Sequence, residues 1–257
     1  MKNAMKPLVV MLFLFFAIPL FSQSFTIKPF YGYLRPQMTE VNRSIDTQME
    51  AWRELLEEPL PSPGKISGQS ILGGEIQYHL NDDYFLGLNV SRYRDQATTD
   101  YRSPSPATPG RFLYTREVEA VDVALHLDYY FAYDESSRLN KYFGLGIGII
   151  SAQAQSVTQS TFEMTGSKVA LPLIDTTGDF SGTAFTALIS GGLALRLVEP
   201  FSLWSEVGYR YAKLGQLEGT VRQIDSQQNA AFTTNTSFDF SGFYLQAGLG
   251  IRLPFGE

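Results

Sequence analysis

The strongest constraint in this sequence is a repeated alternation of apolar and polar side chains that begins at Phe25. A period of two is typical of β-strands that separate two different environments. Each alternating segment is long enough to cross a bilayer as a tilted strand, which takes about 9 to 11 residues. The predicted strands lie near residues 25–35, 68–80, 84–95, 114–131, 141–155, 181–197, 201–213 and 237–253.

The connections between these segments alternate in length. They are short at 81–83, 134–140 and 198–200 and long at 36–67, 96–113, 156–180 and 214–236. Short periplasmic turns and long external loops are typical of outer-membrane barrels. The sequence therefore predicts an all-β fold, a closed antiparallel up-and-down transmembrane β-barrel of eight strands. Further alternation inside the third and fourth long loops leaves two alternatives open, ten strands or strands that project beyond the membrane.

The two faces of the predicted strands differ in composition, which indicates the face that meets lipid. One face carries aliphatic residues such as Leu72, Val123 and Leu245, flanked by tyrosine and phenylalanine. The other carries charged residues and many of the glycines. Glycine weakens a solvent-facing strand but makes room inside a narrow barrel, so we expect the polar face to line the lumen. A soluble barrel would have the opposite arrangement.

A set of charged residues and one histidine falls on the predicted lumen face. Its members are Lys28, Glu75, Asp122, His126, Asp128, Arg196, Glu206, Arg210 and Arg252. Buried charges need partners or water, so we expect salt bridges that plug the barrel. The alternative is a path for ions or small solutes that opens when the charged pairs change partners.

One short helix is predicted in the first external loop, from Ser44 to Glu58. Ser44 can cap its start and Pro59 stops it. Its apolar stripe consists of Ile45, Met49, Trp52, Leu55 and Leu56. Because such a stripe must be covered, we expect the helix to lie over the external opening of the barrel as a lid. Capture of a partner or ligand by the stripe is the alternative.

The first residues are typical of a secretory signal peptide. Lys2 and Lys6 precede an apolar stretch over residues 7–21, and Ser22 follows it. The stretch is about 15 residues long, shorter than the roughly 20 that cross a bilayer as a helix. We expect residues 1–22 to be removed and residues 23–257 to form the barrel domain in the outer membrane of a Gram-negative bacterium.

The last predicted strand carries the most specific motif. Gln246, Gly248, Ile251 and Leu253 have the order and spacing of the C-terminal signal that the barrel-insertion machinery recognises. Together with the architecture, this resembles the small outer-membrane β-barrel family, which includes the eight-stranded barrels of the OmpA, OmpX and OmpW type. The resemblance implies a porin-like protein whose partners are outer-membrane lipid, lipopolysaccharide and, during biogenesis, the insertion machinery.

Composition and motifs disfavour several classes of function. The chain has no cysteine, two histidines and a formal net charge of -6. An acidic chain without basic clusters is not expected to bind nucleic acid, and no dinucleotide, zinc or calcium motif occurs. Neither histidine has a placed nucleophile, so we expect no catalytic residue, no metal, no cofactor and no enzyme activity.

The expected function is therefore a structural or surface-interaction role through the long external loops, with an envelope or extracellular protein as a possible type of partner. Two alternatives stay open at this point. One is a passive channel or transporter for small or hydrophobic solutes. The other is an accessory barrel of an envelope secretion or motility system, which no residue specifically favours.

Overall fold

The computed structural model describes residues 24–104, 109–131, 137–162, 174–224 and 229–254. The predicted signal peptide, residues 1–22, lies outside these ranges. The elements are β1 (Ser24–Pro36), α1 (Thr39–Leu56), β2 (Gln69–His79), β3 (Tyr84–Arg102), β4 (Arg111–Tyr130), β5 (Leu139–Ser160), β6 (Ile174–Val198), β7 (Phe201–Tyr211), β8 (Lys213–Ile224), β9 (Asn229–Asp239) and β10 (Gly242–Pro254). In these ranges no helix has the length and apolarity needed to cross a membrane.

Eight of these strands close into a ring. Strands β1 to β7 pair with their sequence neighbours in antiparallel fashion, and β10 pairs with both β7 and β1. Lipid offers no hydrogen-bond partner to an exposed strand edge, and a closed ring leaves none. The predicted eight-stranded up-and-down barrel is confirmed.

The remaining two strands lengthen the barrel wall and do not widen the ring. Strand β8 follows β7 after Ala212 and pairs with the first part of β6, and β9 pairs with β8 before leading into β10. Tyr211 pairs with Ala187, and Glu218 pairs with Ser181. Seven residues along β7 and β8 therefore correspond to six along β6, as at a β-bulge. Of the two alternatives, the projecting strands are correct and the ten-stranded ring is wrong.

The predicted long loops are correspondingly too long. Strand β3 runs to Arg102 and not to residue 95, β5 runs to Ser160 and not to 155, and β6 begins at Ile174 and not at 181. The strands were predicted too short because the alternation reverses outside the membrane, where apolar residues face inward and polar residues face outward. In β3, Tyr93 and Ala97 face inward while Arg94 and Gln96 face outward. The projecting part therefore has an apolar interior and a polar exterior, as in a soluble protein.

The membrane-spanning part has the two faces that the sequence predicted. Aliphatic side chains cover the outside, and Leu72 is 68% exposed. Glu75, Asp122 and Asp128 are buried inside. The aliphatic surface marks the lipid-facing band. Where this band ends on the external side, the first outward-facing polar residues include Arg92 and Glu119.

Glycine makes room in the lumen next to large or charged side chains at two positions. A Cβ atom on Gly208 would lie 2.6 Å from the Tyr244 ring, and one on Gly87 would lie 2.8 Å from Oε1 of Glu75. Both distances are shorter than real Cβ contacts, so the neighbours would have to move.

We expect Gly208→Ala to lower the free energy of unfolding by about 1 to 3 kcal/mol, because the added methyl group overpacks the lumen. Gly74→Ala is the matched control, since a Cβ there meets nothing within 4 Å. Urea unfolding in lipid vesicles, followed by tryptophan fluorescence, measures both. Equal effects of the two variants would contradict this account of the lumen packing.

Candidate functional site

The interior of the barrel has three zones along its axis. The charged layer in the membrane-spanning part consists of Lys28, Glu75, Asp122, His126, Asp128, Glu206 and Arg210. The external plug consists of α1 and the apolar side chains around it. A cavity of about 630 Å³, here called the mouth cavity, lies at the end with the short turns.

Two ion pairs lie in the charged layer. Lys28 Nζ lies 3.5 Å from Glu75 Oε1, and Arg210 Nη2 lies 3.1 Å from Asp122 Oδ2. All four side chains are almost fully buried. Pairing removes the net charge that would make burial prohibitive. Lys28 and Glu75 are neighbours on adjacent strands, whereas Arg210 on β7 reaches across the lumen to Asp122 on β4.

The other two acids of the layer are held by neutral donors. Gln77 donates to Asp128 Oδ2 at 2.7 Å. Glu206 accepts hydrogen bonds from Tyr244 at 2.8 Å, Gln246 at 2.9 Å and Tyr142 at 3.0 Å. Neither carboxylate forms a salt bridge within the described ranges, so the expected salt bridges are replaced by hydrogen bonds from neutral groups at these two acids.

Sequence reasoning missed the tyrosines that bind Glu206. Tyr142 shares the inward face of β5 with Gly144, and Tyr244 shares that of β10 with Gln246. Both lie inside the predicted strands 141–155 and 237–253, and the alternation itself places them in the lumen. Large phenols were overlooked there because aromatic residues in such barrels are expected mainly at the membrane interfaces.

Three further members of the predicted charge set behave differently. His126 is buried in the layer, and neither ring nitrogen has a hydrogen-bond partner among the described residues. Arg196 and Arg252 lie apart, at the mouth cavity. Arg196 Nη1 is 3.9 Å from Glu199, and Arg252 Nε donates to Ser24 Oγ at 3.2 Å. The structure thus brings seven of the nine residues together.

The helix of the first external loop is longer than predicted. It begins at Thr39, and Met38 at its N-cap makes no side-chain capping bond, so the predicted start at Ser44 is wrong. The apolar stripe extends back to Val41, one turn before Ile45, and burial of that turn fixes the start. Ser44 instead accepts a long hydrogen bond from Arg116 Nη1, at 3.5 Å.

The helix is sunk into the external end of the barrel. Met49 is fully buried, and Trp52 packs against Phe112 with ring centroids 5.5 Å apart. Leu55 is 47% exposed, so its predicted place in the stripe is wrong, whereas Leu56, which was also predicted in the stripe, is buried. The helix lies deeper than the expected lid, because the apolar interior of the projecting strands surrounds its stripe on several sides.

That wall was not anticipated from the sequence. Its side chains include Tyr93, Ala97, Phe112, Tyr114, Val118, Ile150, Phe180, Leu214 and Phe238. Burial raises the pKa of the Tyr114 phenol, which donates a hydrogen bond to Gln48 Oε1 at 3.2 Å. The external plug therefore resembles the core of a soluble domain, with polar contacts at its margin.

The residues of the predicted insertion signal all lie on β10, the strand that closes the ring against β1. Gln246 faces the lumen and donates to Glu206, and Leu253 is on the outside. Their recognition by the insertion machinery stays a prediction. In the part of the chain that the structure describes, no group of three or more histidine and acidic side chains could hold a metal ion.

We expect Glu206→Leu to lower the free energy of unfolding by about 3 kcal/mol or more, because three buried donors lose their acceptor. Glu199→Leu, at an exposed turn, removes the same charge and should have little effect. Urea unfolding in lipid vesicles compares the two. A loss for Glu206→Leu no larger than that for Glu199→Leu would show that the hydrogen bonds contribute little.

Similar solved structures are bacterial outer-membrane proteins. OprG from Pseudomonas aeruginosa aligns over 91% of this chain and 97% of its own, with 12% identity and a TM-score of 0.52. A major outer membrane protein from Thermus thermophilus has 11% identity, coverage of 89% and 99%, and a TM-score of 0.42. The N-terminal β-barrel domain of Pseudomonas aeruginosa OprF has 14% identity, coverage of 90% and 98%, and a TM-score of 0.38.

No protein-family model and no curated sequence matches the chain. The fold assignment therefore rests on the similarity to OprG together with the lipid-facing band and the closed ring. The chain has the fold of the small outer-membrane β-barrels, which confirms the architecture that the sequence predicted.

Proposed function

We propose that this protein is a closed, non-enzymatic outer-membrane barrel that acts through its external surface. The observation that carries the proposal is the burial of α1 in the external end of the lumen. Val41, Ile45 and Met49 are inaccessible to solvent or nearly so. Removing such a stripe from its wall would expose apolar surface on both sides, so the closed state is favoured.

A second barrier lies below the plug. The charged layer fills the cross-section with paired and hydrogen-bonded side chains, and a barrel of eight strands leaves little room around them. A passing ion would have to displace Lys28 from Glu75 or Arg210 from Asp122, which costs the pairing of a buried charge. Two barriers of different chemistry in series disfavour a general diffusion pore.

The projecting strands form an ordered external surface, here called the head. In β4, nine residues from Arg111 to Glu119 lie beyond the lipid-facing band, which corresponds to a height of about 20 to 25 Å for a tilted strand. Salt bridges at 2.6 Å link Arg94 to Glu117 and Arg111 to Asp100 on its outer face. Hydrogen bonds from Arg111 hold the pKa of the Asp100 carboxyl below its ordinary value.

These features suit a surface that binds other molecules. The wall of the head is a hydrogen-bonded sheet filled by a helix, so its outer side chains are presented on a rigid support. Preorganised side chains lose less conformational freedom on binding than those of a mobile loop. We infer that the partner meets the polar outer face of the head.

For the closed state, we expect purified wild-type protein in a planar bilayer to show no stable open level, because both barriers persist. The variant Arg210→Ala should at most add brief openings. A stable open level in the wild type that Arg210→Ala abolishes would contradict the closed barrel, since Arg210 would then maintain a conducting path.

For the surface role, we expect cells that display the protein to attach to serum-protein-coated glass better than cells without it. Replacing Arg94 and Arg111 together by Gln should reduce attachment, because these guanidinium groups lie on the outer face of the head. The matched control replaces Arg138 and Lys141 by Gln, which removes two exposed cations at the opposite end. Equal attachment by all three proteins, at equal surface amounts, would contradict the role.

A second candidate function is passive entry of small apolar solutes. It is favoured by the apolar wall around α1, which would become an apolar passage if the helix moved outward. The charged layer below would still oppose a bulky apolar solute. For this reason the closed barrel with a binding head is the better supported of the two.

The two functions predict different effects of loosening α1. Met49→Glu places a charge in the apolar wall and should unseat the helix, whereas Glu50→Gln at an exposed position should not. If the protein conducts apolar solutes, Met49→Glu should raise the rate at which cells take up Nile red. An unchanged rate in both variants would contradict the solute-entry function.

A further inference from the structure

The mouth cavity combines positive charge with aromatic surface. It occupies about 630 Å³ at the periplasmic end of the lumen, and its lining includes Lys28, Gln77, Arg196, Trp204 and Arg252. Its volume lies in the range of about 300 to 1,000 Å³ that is usual for small-molecule sites. Neither the proposed head surface nor the charged layer requires a cavity at this end.

The charge of the lining is unbalanced. Arg196 and Arg252 contribute positive charge to it, and Lys28 adds an ammonium group that is already paired with Glu75, while Glu199 is the one carboxylate among the described lining residues. Glu199 is also 83% exposed at its side chain, where water screens it, and it lies 3.9 Å from Arg196. The cavity is therefore a region of positive potential bounded by a low-dielectric wall, which concentrates anions.

Two donors, the Lys28 ammonium group and the Trp204 indole N–H, belong to side chains that line the cavity. Lys28 Nζ lies 5.3 Å from the centre of the Trp204 ring, and both side chains are almost fully buried, at 4% and 2% exposure. Glu75 is 3.5 Å from the ammonium group, which has three N–H donors and can bond a second acceptor. The indole N–H of Trp204 has no acceptor within the described parts of the chain.

We propose that the mouth cavity binds a small organic carboxylate with a flat apolar body, taken from the periplasm. The carboxylate binds Lys28 and the indole N–H of Trp204, and Arg196 and Arg252 attract it electrostatically. The apolar body packs on the aromatic lining, to which Phe85 and Tyr130 contribute.

The same geometry prevents the anion from crossing the barrel. Asp128 and Glu206 of the charged layer lie near Lys28 and form no salt bridge within the described ranges, so their negative charge opposes the passage of an anion through the layer. The site is therefore a receptor pocket on the periplasmic side and is independent of any binding by the head.

The test uses full-length mature protein in lipid nanodiscs and isothermal titration calorimetry with benzoate as the probe. Benzamide has the same shape without the charge, and inorganic phosphate has charge without the apolar body. We expect benzoate to bind, and Arg196→Gln combined with Arg252→Gln to weaken binding about tenfold, because the electrostatic attraction of both guanidinium groups is lost. Arg43→Gln, on the exposed face of α1, is the matched control and should leave binding unchanged.

A fluorescence experiment places the bound probe. The chain has two tryptophans, so Trp52→Phe leaves Trp204 as the reporter. Benzoate should change the emission of this variant at the same concentrations that produce heat in calorimetry. Trp204→Phe, which keeps a ring but removes the N–H donor, should weaken calorimetric binding while the heat-dependent gel shift shows an intact barrel.

Several outcomes would overturn the proposal. Equal binding of benzamide would show that charge is not recognised, and equal binding of phosphate would show that the apolar body is not. Benzoate would bind elsewhere if its affinity were unchanged in the folded double variant Arg196→Gln, Arg252→Gln. The same conclusion would follow if binding caused no change in Trp204 emission.

Discussion

The structure depends on the rule that no backbone hydrogen-bonding group can be left unpaired in lipid. Strand β10 satisfies it by pairing with both β7 and β1, which closes the ring. Closure in turn creates an interior that is sealed from lipid and narrow. The charged layer and the glycines that make room for it are consequences of that interior, because polar side chains that cannot face lipid must face one another.

The sequence predicted the ring, its lumen face and the presence of a helix because these follow from local pattern. Leu72 and Glu75 lie on opposite faces by period alone. Projecting strands were one of two open alternatives, but the apolar interior of the head was not predicted, since the alternation reverses near Arg92 and a pattern that seeks apolar residues on the outside stops there. The true start of α1 was missed for a related reason. Ser44 has the chemistry of a cap, but burial of Val41 against distant strands determines where the helix begins.

In the charged layer, too, the local pattern predicts the face on which a residue lies but not the residues that it contacts. That Glu206 faces the lumen follows from alternation, but its partners come from β5 and β10 and depend on the register of the closed ring. Tyr142 and Tyr244 are also spaced so far from Glu206 in sequence that no local rule links them. The charged residues of the lumen face suggested salt bridges. Where the register brings neutral donors closer to an acid, those donors form hydrogen bonds to it instead.

The position of α1 in the chain has a consequence for assembly. The helix follows β1 directly, yet its wall is built from strands that come much later, among them β4, β6 and β9. Contacts at such sequence separation form slowly, because most of the chain must already be in place. Sealing of the external end can therefore be completed only after these later strands are in place. Until then the apolar interior of the head is open, which makes the window before sealing the stage at which the nascent barrel is most exposed to aggregation and proteolysis.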